Sequence, residues 1–241
     1  MNALKLRREI SAKFMKEFKG TVKYGPISGF QFSELATKDK PDRTSILFGL
    51  YEDEVVSRIV ESSKNFSTFA DIGAAEGIYA VGLVFKKYFD KSICFEIEER
   101  LRKILVENSK VNECTEKVQV NSEFKTNTAS DFGISKTEDY FVLVDIEGAE
   151  FELIDEAFLD LFKSSQILIE LHDWMFKDGE QKKERLIKRL TEYMDIEVFT
   201  SHGRNPNQYP ELSKLKDDYK WIACSEGRRQ AMEWIHAKPK S

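Results

Sequence analysis

Residues 67–85 read STFADIGAAEGIYAVGLVF, and this stretch decides the fold. The apolar run from Thr68 to Ile72 predicts a strand closed by an acid, Asp71. Small residues follow at every second position, Gly73, Ala75 and Gly77, and from Gly77 onward the pattern turns helical. Small residues let the backbone turn tightly and let a ligand approach it. The helix behind them points its N-terminal amides at that ligand. A dinucleotide loop would want G-x-G-x-x-G for a pyrophosphate. Here alanine parts the glycines, and Asp71 would repel an anion while suiting a ligand with an ammonium and ribose hydroxyls. A plain strand-to-helix turn that holds no ligand is the competing reading.

Outward from this turn, short apolar runs alternate with helical stretches. The candidate strands are TFADI, SICFEI, KVQVN, YFVLVDI, QILIEL, DIEVFT and WIACSE, with amphipathic stretches such as 77–88, 98–108 and 150–162 between them. Such alternation predicts an α/β fold, a doubly wound, mostly parallel sheet covered by helices on both faces. Residues 1–60 read as an N-terminal helix and cap, with a Gly- and Pro-rich loop after residue 19 and a helix from Asp53 to Ser63. Residues 61–241 form the ligand-binding domain. His236 falls in a helix-like tail in this reading.

Composition narrows the class. The 241 residues carry 37 Lys+Arg against 42 Asp+Glu, a net charge of -5, which argues against a nucleic-acid partner. The basic clusters at 5–8 and 182–189 read as solvated helix faces. Neither a membrane span nor a signal-peptide core is apparent. Cys94, Cys114 and Cys224 lie far apart without a CxxC pair, which fits a reduced, cytoplasmic chain.

A second acid sharpens the ligand. SICFEIEE ends a strand at Glu96, about 20 residues past Gly77, where a carboxylate accepts from two ribose hydroxyls. Together, DIGAAEGIYA, CFEIEE and above all VLVDIEGAEFELID resemble the FkbM family of S-adenosylmethionine-dependent methyltransferases; LFGLYEDEV and ILIELHD are similar to its patterns as well. The resemblance covers roughly residues 46–175. It implies a class I methyltransferase fold, a seven-stranded sheet with the last strand antiparallel, and S-adenosylmethionine as cofactor. Carried over, Asp71, Gly73, Ala75 and Gly77 line the methionine end, Glu96 holds the ribose, and Asn121 with Ser122 meets the adenine. FEIEER lacks the proline that the family often shows after the second-strand acid.

In an open parallel sheet, reactive groups gather beyond the carboxyl ends of the strands. The fourth strand delivers Asp145 and Glu147 there, and the fifth delivers Glu170, His172 and Asp173. Methyl transfer needs an aligned acceptor and a group that takes its proton, which nominates His172 as base, with Asp145 and Glu170 beside it. Asp145 also serves the cofactor side. A metal-free site is expected; the alternative is a divalent ion on Asp145, Glu170 and His172. Tyr51, Glu147, Arg204 and Asn205 are the candidate acceptor contacts. The family implies O-methylation of a small polar acceptor, a sugar of a surface glycan or its precursor. Natural-product, lipid or phosphate-bearing acceptors, or a non-catalytic scaffold, are the rivals, and the polar 20–45 segment weighs against a lipid. The N-terminal helix either pairs two copies as a homodimer or covers the site.

Overall fold

Before the sheet begins, the chain builds a cap from helices α1 (Ala3–Glu17), α2 (Arg43–Leu47) and α3 (Asp53–Ser62). The computed structural model of the protein describes residues 2–228 and 230–240. The Gly- and Pro-rich stretch between α1 and α2 holds one β-bridge, Thr21 to Gln31. After the cap come β1 (Thr68–Ile72), α4 (Ile78–Phe85), β2 (Lys91–Phe95), α5 (Glu99–Val111) and β3 (Val118–Asn121). Then follow β4 (Tyr140–Val144), α6 (Glu150–Leu153), α7 (Glu156–Leu161), β5 (Gln166–Leu171) and α8 (Gly179–Tyr193). The chain closes with β6 (Met194–Thr200), α9 (Asp217–Cys224) and β7 (Glu233–Pro239).

The strands form one sheet in the order β3-β2-β1-β4-β5-β7-β6. Strands β1 to β5 run parallel, and β7 runs antiparallel between β5 and β6. The winding direction reverses between β1 and β4, which opens a crevice at their carboxyl ends. Both faces of the sheet are covered at its centre, so β1, β4 and β5 are buried along nearly their whole length, while the edge strands β3 and β6 alternate and stay partly exposed. Phe69, Phe141, Leu168 and Trp234 pack with the cap, α4 and α5. Ala70, Ile72, Val142 and Ile169 pack with Phe158, Leu186 and Leu190 beneath α7 and α8. The cap shares the first of these cores: Phe14 meets Phe48 edge-on, ring centres 5.0 Å apart.

The doubly wound seven-stranded sheet is the one the sequence predicts, with one exchange at its end. WIACSE is not a strand but the end of α9, which starts on Asp217 and Asp218, acids that suit a helix N-terminus. Ala223 and Cys224 are buried there while Trp221 stays exposed, a helical rather than a two-residue period. The seventh strand is β7, and His236 lies buried within it, its Nε2 3.0 Å from Gln166 Oε1. Four consecutive buried residues, Trp234 to Ala237, mask the strand period because both faces of β7 are covered.

Candidate active site

The loop after β1 is shaped by what lies against it. Gly73 has φ +96°, and a Cβ there would sit 1.7 Å from the carbonyl oxygen of Asp145. Glycine is required because β1 and β4 leave the sheet back to back at this point. Ala75 also adopts a positive φ, 45°, and its amide donates to Glu96 Oε2 at 2.9 Å. The amide of Glu98 donates to Oε1 of the same carboxylate at 2.7 Å. Glu96 is thereby fixed at the lip of the crevice, where the sequence places it. Arg43 from the cap pairs with the buried Glu76, and the Asn108 side chain donates to the Glu76 carbonyl, so the loop is held from behind.

Two residues of the motif serve the scaffold instead. Gly77 begins α4 at φ 75°, and a Cβ there would meet Leu105 Cγ of α5 at 2.5 Å, so its smallness lets two helices close together. Asp71 is 2 % exposed and does not line the cleft. Strand alternation turns it to the α4 face, away from the expected cofactor charge. Burial, with Asp145 and Glu96 adding to it, pushes its carboxyl up to about 8, and only the Ala80 amide holds it down.

A cleft of about 1430 Å³ opens along the carboxyl ends of the strands. It passes from Gly73 and Ala75 over Glu96 and Ile97 toward Ser122 and Thr126, and meets Asp145 and Glu147 on the other side. Asn121 falls short of it: its side-chain amide donates to the Cys94 carbonyl at 3.2 Å and its own carbonyl accepts from the Glu96 amide. It ties β3 to β2, while Ser122, its expected companion, does line the cleft. The donor set fits S-adenosylmethionine: bare backbone at Gly73, a fixed carboxylate for ribose hydroxyls, and Asp145 for a positive charge. The cleft is larger than a pocket for one small ligand needs, about 300–1,000 Å³.

At the Asp145 end the structure gathers the expected chemical groups around one imidazole. His172 is 3 % exposed and lies among four carboxylates: Asp145 Oδ1 at 3.7 Å, Glu147 Oε2 at 3.6 Å and Glu170 Oε2 at 3.7 Å from Nε2, and Glu150 Oε1 at 3.4 Å from Nδ1. Burial alone would lower its pKa, but Glu150, Asp145 and Glu147 outweigh burial and raise it. Asp145 is pushed up to about 6, by burial first and by Glu147 and Glu150, against the pull of His172 and Arg228. Glu150 is fully buried and takes the amides of Gly148 and His172, each at 2.8 Å. Glu147 stands at φ 53° with its side chain 77 % exposed. Asp145, Glu147 and His172 each offer a donor atom within 4.8 Å of the others. Glu170, the third donor of the alternative metal set, is instead ion-paired with Arg228.

Arg228 is the site's unforeseen residue. It joins Glu52 of the cap, Glu170 of β5 and Glu226, binding the cap to the sheet edge directly behind His172. Nothing local in SEGRRQ distinguishes it; only the insertion of β7 beside β5 brings it there. Tyr51, expected to touch the acceptor, instead lines a small separate pocket in the cap beside Ile46, Val56 and Ile78. Arg204, expected to touch the acceptor, is buried and engaged by Asp53 at 2.9 Å, Glu54 at 2.7 Å and Glu226. Asn205 is exposed and caps the short turn at Pro206, its Oδ1 accepting from the Asn207 amide. Both belong to the loop that fastens the cap, since polar residues there satisfy each other rather than a ligand.

No family model and no curated protein sequence matches the chain. Solved structures do. The Bacillus cereus O-methyltransferase in complex with SAH is similar at 13% identity and TM-score 0.56, over 78% of this chain and 81% of that one. The precorrin-6y C5,15-methyltransferase of Geobacter metallireducens is similar at 15% identity and TM-score 0.53, over 78% and 88%. The SAM-dependent O-methyltransferase of Thermotoga maritima is similar at 17% identity and TM-score 0.52, over 78% and 66%. At these identities the likeness is one of architecture, and it agrees with the sheet order and crevice described above: the chain has the Rossmann-like fold of the S-adenosylmethionine-dependent methyltransferases.

Proposed function

We propose that this chain is an S-adenosylmethionine-dependent O-methyltransferase. The observation that carries the reading is Glu96, fixed by the amides of Ala75 and Glu98 on the lip of a cleft that ends at Asp145. In this reading Glu96 accepts from the ribose hydroxyls, Gly73 and Ala75 give the methionine end bare backbone, and Ser122 with Ile97 borders the base. A pyrophosphate in the same place would face the Glu96 and Asp145 carboxylates, which disfavours a nicotinamide dinucleotide.

When bound, S-adenosylmethionine supplies an electrophilic methyl carbon, and its sulfur keeps the electron pair of the broken C–S bond. The protein's part is to seat an acceptor hydroxyl between Asp145, Glu147 and His172 and to receive its proton at the Asp145–His172 pair. Glu150 orients the imidazole from behind, and Glu170 with Arg228 closes the floor. The acceptor is a small polar molecule. Its assignment to a sugar of a surface glycan or its precursor follows from the resemblance to the FkbM family, while a cytoplasmic setting rests on the widely spaced cysteines without a CxxC pair. Calorimetric titration with S-adenosylhomocysteine, with NAD as control, tests the reading. Micromolar binding of the first alone supports it, and binding of NAD alone or of neither overturns it.

A further inference from the structure

We propose that Trp174 is the contact residue that sets which acceptor this site takes: a ring with a flat apolar face and hydroxyls on its edge, free of negative charge. The inference deepens the methyltransferase reading and rests on it for the ring's role as acceptor, though not for its binding. Trp174, Met175 and Phe176 follow His172 directly, and all three are exposed. Three consecutive apolar side chains make a contiguous patch, and such a patch beside a polar rim marks a contact site. The loop that carries them is tightly held. The Met175 amide donates to the His172 carbonyl and the Phe176 amide to the Asp173 carbonyl, each at 3.0 Å. A Cβ on Gly179 would sit 1.9 Å from the Asp173 carbonyl oxygen, so the loop lies directly against the start of α8.

The three side chains differ in what they touch. Phe176 is taken up by the turn after β4: a Cβ on Gly148 would meet its Cζ at 2.9 Å, and its ring stands edge-on to Phe151, centres 5.9 Å apart. Met175 Sδ lies toward the same glycine, 3.9 Å from that position. Trp174 has no such seat. His172 is its only aromatic neighbour among the described residues, ring centres 6.4 Å apart and tilted by 48°. Beside the same imidazole stands Glu147, its carboxylate 3.6 Å from Nε2, on a backbone whose φ of 53° persists only because the surroundings hold it. Phe176 on Gly148 supplies part of that hold. An indole and a carboxylate thus flank one imidazole, both on loops braced against each other.

These surfaces select the guest. An indole buries the flat apolar face of a ring. Ionised carboxylates only accept, so Asp145 and Glu147 call for hydroxyl donors on the ring's edge. Charge turns a phosphate away. Four carboxylates lie within 3.7 Å of the His172 nitrogens, and Arg228, the guanidinium that reaches them, is engaged by Glu52, Glu170 and Glu226. Lys182 has its ammonium 4.8 Å over the Phe176 ring and pairs with none of the four. A phosphorylated acceptor would meet repulsion here. A pyranose ring and a hydroxylated aromatic ring both offer the required chemistry, apolar on the face and hydroxylated on the edge.

The test titrates the full chain with methyl β-glucopyranoside, catechol and glucose 6-phosphate by saturation-transfer NMR, with and without S-adenosylhomocysteine. The expected result is saturable transfer to the ring protons of at least one of the two uncharged rings, with glucose 6-phosphate bound tenfold or more weakly. The uncharged ring that binds more tightly names the source of the acceptor. Trp174→Ala, a change at an exposed side chain, should weaken that binding about tenfold, and Trp174→Phe should restore most of it. Unaltered S-adenosylhomocysteine affinity in both variants reports that they have folded. No saturable binding of either uncharged ring, or equal binding by Trp174→Ala, overturns the role of Trp174. Glucose 6-phosphate bound as tightly as the uncharged rings overturns the charge selection. Ring binding without S-adenosylhomocysteine binding would sink the cofactor reading and leave the Trp174 contact standing; the converse would do the opposite.

Discussion

At Gly73 a single missing Cβ joins the two central strands. Its φ of +96° and the Asp145 carbonyl oxygen 1.7 Å from a notional Cβ leave no room for any side chain. Gly73→Ala should lower stability by about 2–4 kcal/mol, because strain and a backbone clash act together. Urea denaturation checks it, and a midpoint within error of wild type would refute the packing argument. Glu96 makes the complementary case, a side chain whose task is a ligand. Glu96→Ala removes a carboxylate whose charged hydrogen bonds are each worth roughly 1.5–3 kcal/mol, so S-adenosylhomocysteine should bind tenfold or more weakly. Unchanged affinity in a calorimeter would show that the ribose does not sit there.

Strand β7 and the loop before it are where whole elements do something other than their composition suggests. His236, buried in β7, is held down to about 4 by burial, with Lys238 and Arg58 adding to it. Its Nδ1 has no partner, so the imidazole is neutral in the folded chain. An unfolded histidine, near 6.5, binds a proton that the folded one refuses between those values, so stability must fall as pH drops from about 6.5 to about 4. The loss reaches about 3 kcal/mol at the acid limit. His236→Gln should flatten this part of the stability–pH curve measured by chemical denaturation, and an unaltered slope would count against it. In the loop 201–210, Arg204 is the fastening between cap and sheet. Arg204→Ala strips the cation from three carboxylates and should cost about 3 kcal/mol in thermal unfolding. The KM for acceptor should stay as it was; a large rise would restore the arginine to the substrate.

At the scale of the molecule, the cap and the sheet share one hydrophobic core. Phe14 of α1, Phe48 beside α2 and Phe141 of β4 lie in the same buried cluster, so the boundary drawn near residue 60 runs through a core. Phe14→Ala should destabilise the entire chain by about 3–5 kcal/mol. Calorimetry should show a single transition moved to lower temperature. Two transitions, with only the first displaced, would make the cap a separate unit. Arg228 extends this unity to the site, since cap residue Glu52 and strand residue Glu170 meet on one guanidinium behind His172.

Much of this architecture was legible in the chain alone. The positive-φ turn at Gly73, Ala75 and Gly77 and the strand-end acids Glu96, Asp145 and Glu147 are features that local spacing records, although the groups they meet lie far along the chain. Strand and helix alternation foretold the doubly wound sheet for the same reason. What spacing does not record is which distant segments become neighbours. Trp234 to Ala237 became a strand because β5 and β6 flank it, and the WIACSE run became a helix because only one side of it is buried. Asp71 turned under α4, and Arg204 found carboxylates before any substrate could. Arg228 reached His172 through a β7 placed between two strands far from it in sequence. A charged side chain's role depends on the partner it meets, and the partner is chosen by the packing of the whole chain.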